Sequence, residues 1–319
     1  MKNLSILPNR PLSFAERERQ CEALFNSRGP FYHLCTPGEG TLTLFETEED
    51  FRFAMNLVAL VTHLTPDFNI LTFEVMESHL HVIGEGSVPA AQNWFGQVRK
   101  RLFRFYQSTG RVRDLKAFQP NIIPIDDLSF LRNSIAYVNR NGYLVRPDCT
   151  PYSYPWGANR FYFNPDARLR RDGAFEDLAY DEKRRLFRSS TIGYPGTHFL
   201  VDGYVSPVSY CDLALGEGIF RDARHYNSLV SRSVEGFQDI AKLVGDQFFC
   251  TDDELFTIVR QISKDKYGSS RPSMLPPDNK REIVRIMYHD YHASIHQIRR
   301  MLRVAENDIR FHLGLPGAI

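Results

Sequence analysis

A chain of 319 residues, 43% of them hydrophobic, can bury a sizeable core, and we expect it to fold into two or three units. Its net charge of +1 argues against a protein that coats nucleic acid through overall charge, so contacts with DNA must come from local basic patches. The five cysteines form no CxxC pair and no apolar stretch has membrane-spanning length, which favours a soluble cytoplasmic protein over a secreted or membrane one.

The hydrophobic pattern predicts ordered elements from residue 31 onward. The preceding segment, 1–30, indicates an extension with one short helix. A β-prone run follows at 31–35. Thr47 and Asp50 then bound a capping box, which opens a helix whose apolar residues recur at helical spacing over 51–61.

The next elements predict a small sheet. Apolar and polar residues alternate over 71–75, which is typical of a half-buried strand, and 79–83 continues as its antiparallel neighbour. Ser87 opens a helix with an apolar face that runs to Phe105. We therefore predict an α+β fold of ferredoxin-like kind, an antiparallel sheet with helices on one face.

The second half of the chain predicts a connecting region and then helices. One helix is expected over 212–231, and Thr251 and Glu254 cap another. The predicted units are an N-terminal extension (1–30), the sheet domain (31–165), a mixed connecting region (166–249) and an all-α C-terminal domain (250–319).

The sharpest local motif is His79-Leu80-His81. Residues i and i+2 of a strand project from the same face, so both imidazoles point together while Leu80 faces the helices. Two nitrogen donors presented in this way can bind one divalent ion.

A second motif lies in the helix predicted over 126–145. Tyr137 and Asn141 are four residues apart and lie off the apolar stripe, so they share one exposed face. The carbonyl oxygen of Asn141 is a candidate third metal ligand, which would place Tyr137 beside the metal. A tyrosine that packs at the domain edge is the alternative interpretation.

Together these motifs resemble the single-tyrosine HUH transposases, especially the REP-associated tyrosine transposases. The family's YHV-like strand, acidic-capped helix and MPNHVH strand are similar, in this order, to Tyr32-His-Leu, Glu48-Glu-Asp-Phe and Met76-Glu-Ser-His-Leu-His-Val. Its YIHxNPVRAG helix and trailing YPWSS are similar to Tyr137-Val-Asn-Arg-Asn-Gly and Tyr154-Pro-Trp-Gly.

The resemblance covers about residues 31–163 and implies a metal-dependent single-strand DNA endonuclease and strand transferase. It makes His79, His81 and Asn141 the ligands of Mg²⁺ or Mn²⁺ and Tyr137 the nucleophile. It also implies that the partner is single-stranded or hairpin DNA, and it allows a homodimer.

Three positions depart from the family pattern. Glu77 and Ser78 stand where the family has Pro and Asn, and Gly142 stands where it has Pro. Glu77 shares the strand face of the histidines and is either a supplementary ligand or a solvent-exposed substitution. Tyr143 is an alternative nucleophile because it is also a tyrosine, but it lies nearly half a turn around the helix from Tyr137.

The implied chemistry is a transesterification. Negative charge builds on the non-bridging oxygens of the phosphodiester during attack, and a divalent ion neutralises it. Tyr137 would form a 5′-phosphotyrosine and leave a free 3′-OH. Because the covalent bond retains the phosphodiester energy, a second 3′-OH can reverse the step and join another strand without a nucleotide cofactor.

Two basic runs are candidate DNA contacts. The first, 99–113, contains no acidic residue, and the second accompanies a predicted helix-turn-helix over 294–313 with 307–313 as its reading helix. Solvated helix faces are the alternative interpretation. The candidates are Arg99, Lys100, Arg101 and Arg104 in the first run and Arg299, Arg300, Arg303 and Arg310 in the second.

Three functions stay open at this point. The first is an active HUH transposase. The second is a catalytically degenerate DNA-binding regulator that uses the helix-turn-helix. The third is an unrelated metal hydrolase with a His-x-His pair and a remote carboxylate, which gives Tyr137 no role.

Overall fold

The computed structural model describes residues 12–36, 44–111, 115–116, 118–145, 149–150, 152–190, 198–231, 252–291 and 293–315. The helices are α1 (Phe14–Ser27), α2 (Glu48–Leu64), α3 (Val88–Ser108), α4 (Leu128–Val145), α5 (Pro165–Leu169), α6 (Tyr180–Phe187), α7 (Leu213–Gly218), α8 (Ala223–Val230), α9 (Asp252–Tyr267), α10 (Pro277–His289), α11 (Ile295–Leu302) and α12 (Glu306–Leu313). The strands are β1 (Phe31–Cys35), β2 (Phe68–Val75), β3 (Leu80–Gly86), β4 (Asn121–Ile125), β5 (Gly173–Ala174), β6 (Phe199–Val201) and β7 (Tyr204–Val205). Within these ranges, no helix combines the length and apolar character needed to cross a membrane.

The main sheet has four strands in the order β2-β3-β1-β4, and every neighbouring pair is antiparallel. The predicted α+β class and antiparallel sheet are therefore confirmed. Strand β4 was not predicted, since Pro124 interrupts its short apolar run. Proline lacks an N–H, and β4 accommodates it because it is an edge strand.

Helices cover both faces of this sheet. On one face Phe68 of β2 packs against Trp94 of α3, with ring centroids 6.1 Å apart, and α3 in turn packs on α2. On the other face α4 lies over β2, where the backbone N–H of Gly142 donates to the Glu74 carboxylate at 2.6 Å. The predicted packing of two helices on one face holds for α2 and α3, and α4 covers the face to which His81 projects.

Covering the second face changes the environment of β2. Thr72 and Glu74 are fully buried, whereas their alternation with apolar residues predicted a half-buried strand. The Thr72 hydroxyl donates to the Asn139 side chain of α4, so the polar face of this strand is satisfied by a helix rather than by water.

The capping box of α2 is confirmed and gains a third member. The Thr47 side chain accepts from the Asp50 N–H, and the Asp50 carboxylate accepts from the Thr47 N–H. Arg111 of the basic run donates to both oxygens of Asp50, the shorter contact being 2.6 Å. Arg111 is thus the ion-pair partner of the capping-box residue Asp50.

The helix predicted over 212–231 is two helices, α7 and α8. The chain leaves helical geometry between them, and Asp222 caps α8 by accepting from the N–H of His225 at 2.8 Å. Asp is a strong N-cap residue, so the prediction of one continuous helix was wrong. Thr251 of the predicted capping box lies outside the described residues.

The described C-terminal residues form helices α9 to α12, which confirms a helical C-terminal region. Helices α11 and α12 contact each other and both contact α10. A short turn, 303–305, separates α11 from α12, and Arg303 begins it with a φ of 51°. Ile298, Leu302 and Ile309 are fully buried where these helices meet.

Candidate functional site

Helix α4 positions Tyr137 and Asn141 against the sheet. It begins after Asp127, whose carboxylate accepts from the Phe130 N–H at 2.7 Å. The helix packs on β2, β3 and β4 on one side and on α1 and α8 on the other. Only 2% of Tyr137 and 5% of Asn141 are exposed, so the predicted exposed face is wrong.

The two histidines lie at the start of β3. His79 ends the turn before the strand, which the Met76 N–H closes by donating to the His79 carbonyl at 2.9 Å. His81 is inside the strand, and the two rings are perpendicular with centroids 5.0 Å apart. The structure therefore brings the pair together. Glu77 is exposed in the turn, in agreement with its interpretation as a solvent-exposed substitution.

His81 connects the strand to the helix. Its Nε2 atom lies 3.2 Å from Nδ2 of Asn141, and its ring meets the ring of Tyr137 edge-on with centroids 5.7 Å apart. The four residues predicted from sequence therefore form one group around His81. Together with His33 of β1, they form a group that we call the His–Tyr cluster. Its members are His33, His79, His81, Tyr137 and Asn141.

His33 is the residue that the sequence prediction missed. It lies on β1, and its Nε2 atom is 3.2 Å from Nδ1 of His81. The register of β1 and β3 places Cys35 opposite His81, so His33 and His81 project from the same face of adjacent strands. The alternation of Tyr32, His33 and Leu34 was the available signal, but it could not show which strand is the neighbour.

Glu74 is a second buried polar group beside the cluster. It lies directly across from His81 in the β2–β3 pair and is fully buried. Its Oε1 atom has no hydrogen-bond partner among the described residues, and burial raises the pKa of this carboxyl well above its usual range.

The contact with Glu74 accounts for the residue type at position 142. Proline at position 142 would lack the N–H that Glu74 accepts. A larger residue would also meet Tyr154, because a Cβ atom at Gly142 would overlap that ring. Tyr154 is itself fixed by donating from its hydroxyl to the Val75 carbonyl at 2.7 Å. Glycine is therefore the residue that allows α4 to approach the sheet this closely.

The donor set fits a divalent ion in part. When two ligand atoms each lie about 2.0–2.2 Å from one ion, they lie roughly 3 Å from each other. This matches the distance between the side-chain atoms of His81 and Asn141. His81 also holds His33 through its other ring nitrogen, as metal-binding histidines commonly do. Coordination by Asn141 requires its amide to turn so that Oδ1 faces His81. Across the described ranges no group of three or more His, Cys, Asp or Glu side chains could hold a metal ion.

The cluster is closed in this conformation. His33 and His81 are fully buried, and His79 is 6% exposed. Tyr137 is 2% exposed, so in this conformation its side chain lies between α4 and the sheet and is closed to solvent.

The predicted basic contacts lie elsewhere. Arg99, Lys100, Arg101 and Arg104 belong to α3, which covers the sheet face opposite α4, so the structure does not bring them to the His–Tyr cluster. In the C-terminal region Arg299, Arg300 and Arg303 are exposed on α11 and the following turn, whereas Arg310 pairs with Glu306 of its own helix at 2.8 Å.

Comparisons with protein-family models, with curated proteins and with solved structures gave no match. The arrangement of the chain's own residues therefore carries the functional argument.

Proposed function

We propose that this protein is a metal-dependent single-strand DNA endonuclease and strand transferase that forms a 5′-phosphotyrosine intermediate. The observation that carries the proposal is the position of His81, which lies within hydrogen-bonding distance of Asn141 and edge-on to Tyr137. Three residues separated by 56 and 4 positions in the sequence meet at one point, with polar groups of the types that phosphoryl transfer to a tyrosine uses.

The sheet supports the same proposal. Its strand order, with β1 and β3 in the centre and two helical crossovers, is that of a ferredoxin-like domain. Helix α4, which follows β4, lies on the face of this sheet to which His81 projects, and its Tyr137 meets the His81 ring. This is the arrangement expected for an HUH nuclease.

The residues that would hold a divalent ion are His79, His81 and Asn141. A bound Mg²⁺ or Mn²⁺ would supply neutralisation of the charge that develops on the non-bridging oxygens of the phosphate. His33 holds the ring of His81 in position from the far side.

Tyr137 performs the covalent step. Its Oη atom attacks the phosphorus, forms an O–P bond and breaks the bond from phosphorus to the 3′-oxygen of the preceding nucleotide. The phenolic proton leaves to solvent or a neighbouring base, and the 3′-oxygen leaves as a hydroxyl after taking up a proton. Attack by a second 3′-OH on the phosphotyrosine reverses these changes and joins another strand.

The test is the covalent adduct. The full chain is incubated with Mn²⁺ and labelled single-stranded DNA that carries hairpins, and a band resistant to denaturation is measured. We expect the adduct with the wild type and with the control Tyr143→Phe, but not with Tyr137→Phe. An adduct that persists in Tyr137→Phe would show that the nucleophile is another residue.

A catalytically degenerate DNA-binding regulator is the second candidate. The closed cluster favours it, since none of its five side chains is more than 6% exposed, and so do the exposed arginines of α11. This function predicts sequence-dependent DNA binding that is the same with and without Mn²⁺ and no adduct on any hairpin substrate.

A further inference from the structure

A groove runs along the outer side of α3. It encloses about 580 Å³ between one stripe of that helix and the residues Leu115 and Lys116. The buried stripe of α3 packs on the sheet through Trp94, so the groove faces away from the sheet and from the His–Tyr cluster behind it. Its lining includes Arg99, Lys100, Phe103, Arg104, Leu115 and Lys116.

The described side chains that line this groove carry charge of one sign. Four of its lining side chains are cationic, and no acidic side chain of the described residues lines it. Lys100 and Arg104 are exposed and have no ion-pair partner within the described ranges. Arg101 of the same helix does not line the groove; burial, with the nearby charge of Arg104 as a second cause, lowers its pKa.

An exposed aromatic ring lies among these cations. Phe103 is 48% exposed although the neighbouring aromatic residues of α3, Phe105 and Tyr106, are buried. An apolar ring beside phosphate-binding cations is the combination that binds unpaired nucleotides, because any base can stack on it. A duplex keeps its bases stacked on each other and cannot use the ring in this way.

We infer that the α3 groove is a binding site for single-stranded DNA, separate from the catalytic cluster, in which a base stacks on Phe103 while Lys100, Arg104 and Lys116 contact phosphates. The inference rests on the proposed function only in taking DNA as the partner, and it requires no catalysis. The groove would hold a strand on the face of the sheet opposite the nucleophile.

The first experiment measures binding of a fluorescent 20-nucleotide oligothymidine to the full chain in EDTA, at several salt concentrations. Base stacking on an aromatic ring is worth about 1–3 kcal/mol, so Phe103→Ala should weaken binding roughly 5- to 150-fold. The Lys100→Ala/Arg104→Ala variant should lower the salt slope by about 1.4, at roughly 0.7 for each phosphate of a single strand that is no longer neutralised. The matched duplex should bind without dependence on Phe103.

The controls match each change in residue type. Phe256→Ala removes a ring of similar exposure, 45%, from α9. Arg184→Ala/Arg185→Ala removes two cations from a neighbouring pocket that also contains Asp181. Both controls should bind the oligonucleotide within about twofold of the wild type, since neither touches the groove.

A second readout does not depend on affinity. Oligothymidine containing 5-iodouracil is photocrosslinked to the chain and the modified peptide is identified, with Phe103 as the expected position. The inference would be overturned if Phe103→Ala bound the oligonucleotide within twofold of the wild type and crosslinks formed only at other residues. If the wild type forms no adduct but its binding of oligothymidine still depends on Phe103, the proposed function is overturned and the groove inference is not. The two outcomes are separable because Tyr137→Phe leaves the groove unchanged.

Discussion

His33 determines how the ring of His81 is held, since the two imidazoles meet across neighbouring strands. If His81 binds a metal, His33→Ala should weaken Mn²⁺ affinity by about 10- to 100-fold, the usual cost of removing the partner of a metal-binding histidine. Isothermal titration of the full chain with Mn²⁺ measures this. His289→Ala, on the exposed side of α10, is the control and should bind Mn²⁺ like the wild type. Equal affinity of His33→Ala and wild type would remove His33 from the site.

Gly142 provides a second test at the level of one side chain. Gly142→Ala should lower the free energy of unfolding by about 1–3 kcal/mol, because the added Cβ overlaps the fixed ring of Tyr154. Urea denaturation measures the change. Gly96→Ala on α3 is the matched control: its Cβ meets no atom within 4 Å, and we expect a gain of roughly 0.5–1 kcal/mol from helix propensity. Destabilisation by both substitutions alike would show that the close approach of α4 to Tyr154 is not the cause.

The residues of the cluster differ in how far the sequence could predict them. His79, His81, Tyr137 and Asn141 were accessible because strand and helix periodicity each place a pair of side chains together. Glu74, which lies beside the cluster, was not accessible, since a buried carboxyl is recognisable only when the helix that covers it is known.

At the scale of elements, the start of α2 is tied to the end of α3 through Asp50 and Arg111. Burial acts to raise the pKa of Asp50, but hydrogen bonds from Arg111 and from the N–H groups of Glu46 and Thr47 outweigh it and lower the pKa below the ordinary 3.8. A carboxyl with a lowered pKa in the folded state stabilises the protein above its unfolded pKa, and this contribution is lost as pH falls through the folded value.

Asp50→Asn should therefore destabilise the protein at pH 7 by about 1.5–3 kcal/mol, the range for a hydrogen bond to a charged group. The difference from wild type should shrink as the pH falls below 3.8. Urea denaturation from pH 7 to pH 3 measures it. Asp181→Asn, at an exposed carboxyl, is the control. A difference that does not change with pH would mean that the charge of Asp50 is not what stabilises α2.

Helices and strands with local signals were predicted well. The capping box and apolar stripe of α2 and the alternation of β2 depend only on residues nearby in the chain. The burial of α4 was missed because it depends on α1 and α8, which come from distant parts of the described chain. The break before Asp222 was missed because the apolar pattern continues across it.

At the scale of the whole molecule, we propose the exposed arginines of the C-terminal helices as a DNA contact that is independent of the His–Tyr cluster. The triple variant Arg299→Ala/Arg300→Ala/Arg303→Ala should bind duplex DNA more weakly and reduce the salt slope by about 2.7, at roughly 0.9 for each phosphate that is no longer neutralised. Fluorescence anisotropy at several salt concentrations measures the slope. Arg260→Ala/Arg281→Ala/Arg285→Ala, at exposed positions of α9 and α10, is the control with the same change of charge. An equal weakening in both triple variants would indicate a general charge effect.

The identity of the residue that carries DNA tests the central claim most directly. The chain is incubated with Mn²⁺ and hairpin-bearing single-stranded DNA, digested with nuclease and trypsin, and analysed by mass spectrometry. Trypsin cleaves after Arg132 and Arg140 but not between Arg146 and Pro147, so it yields peptide 133–140, which contains Tyr137, and peptide 141–160, which contains Tyr143. We predict a nucleotide attached through phosphate to Tyr137 in the first peptide. A nucleotide on the second peptide, or none on either with a folded protein and every hairpin tried, would contradict Tyr137 as the nucleophile.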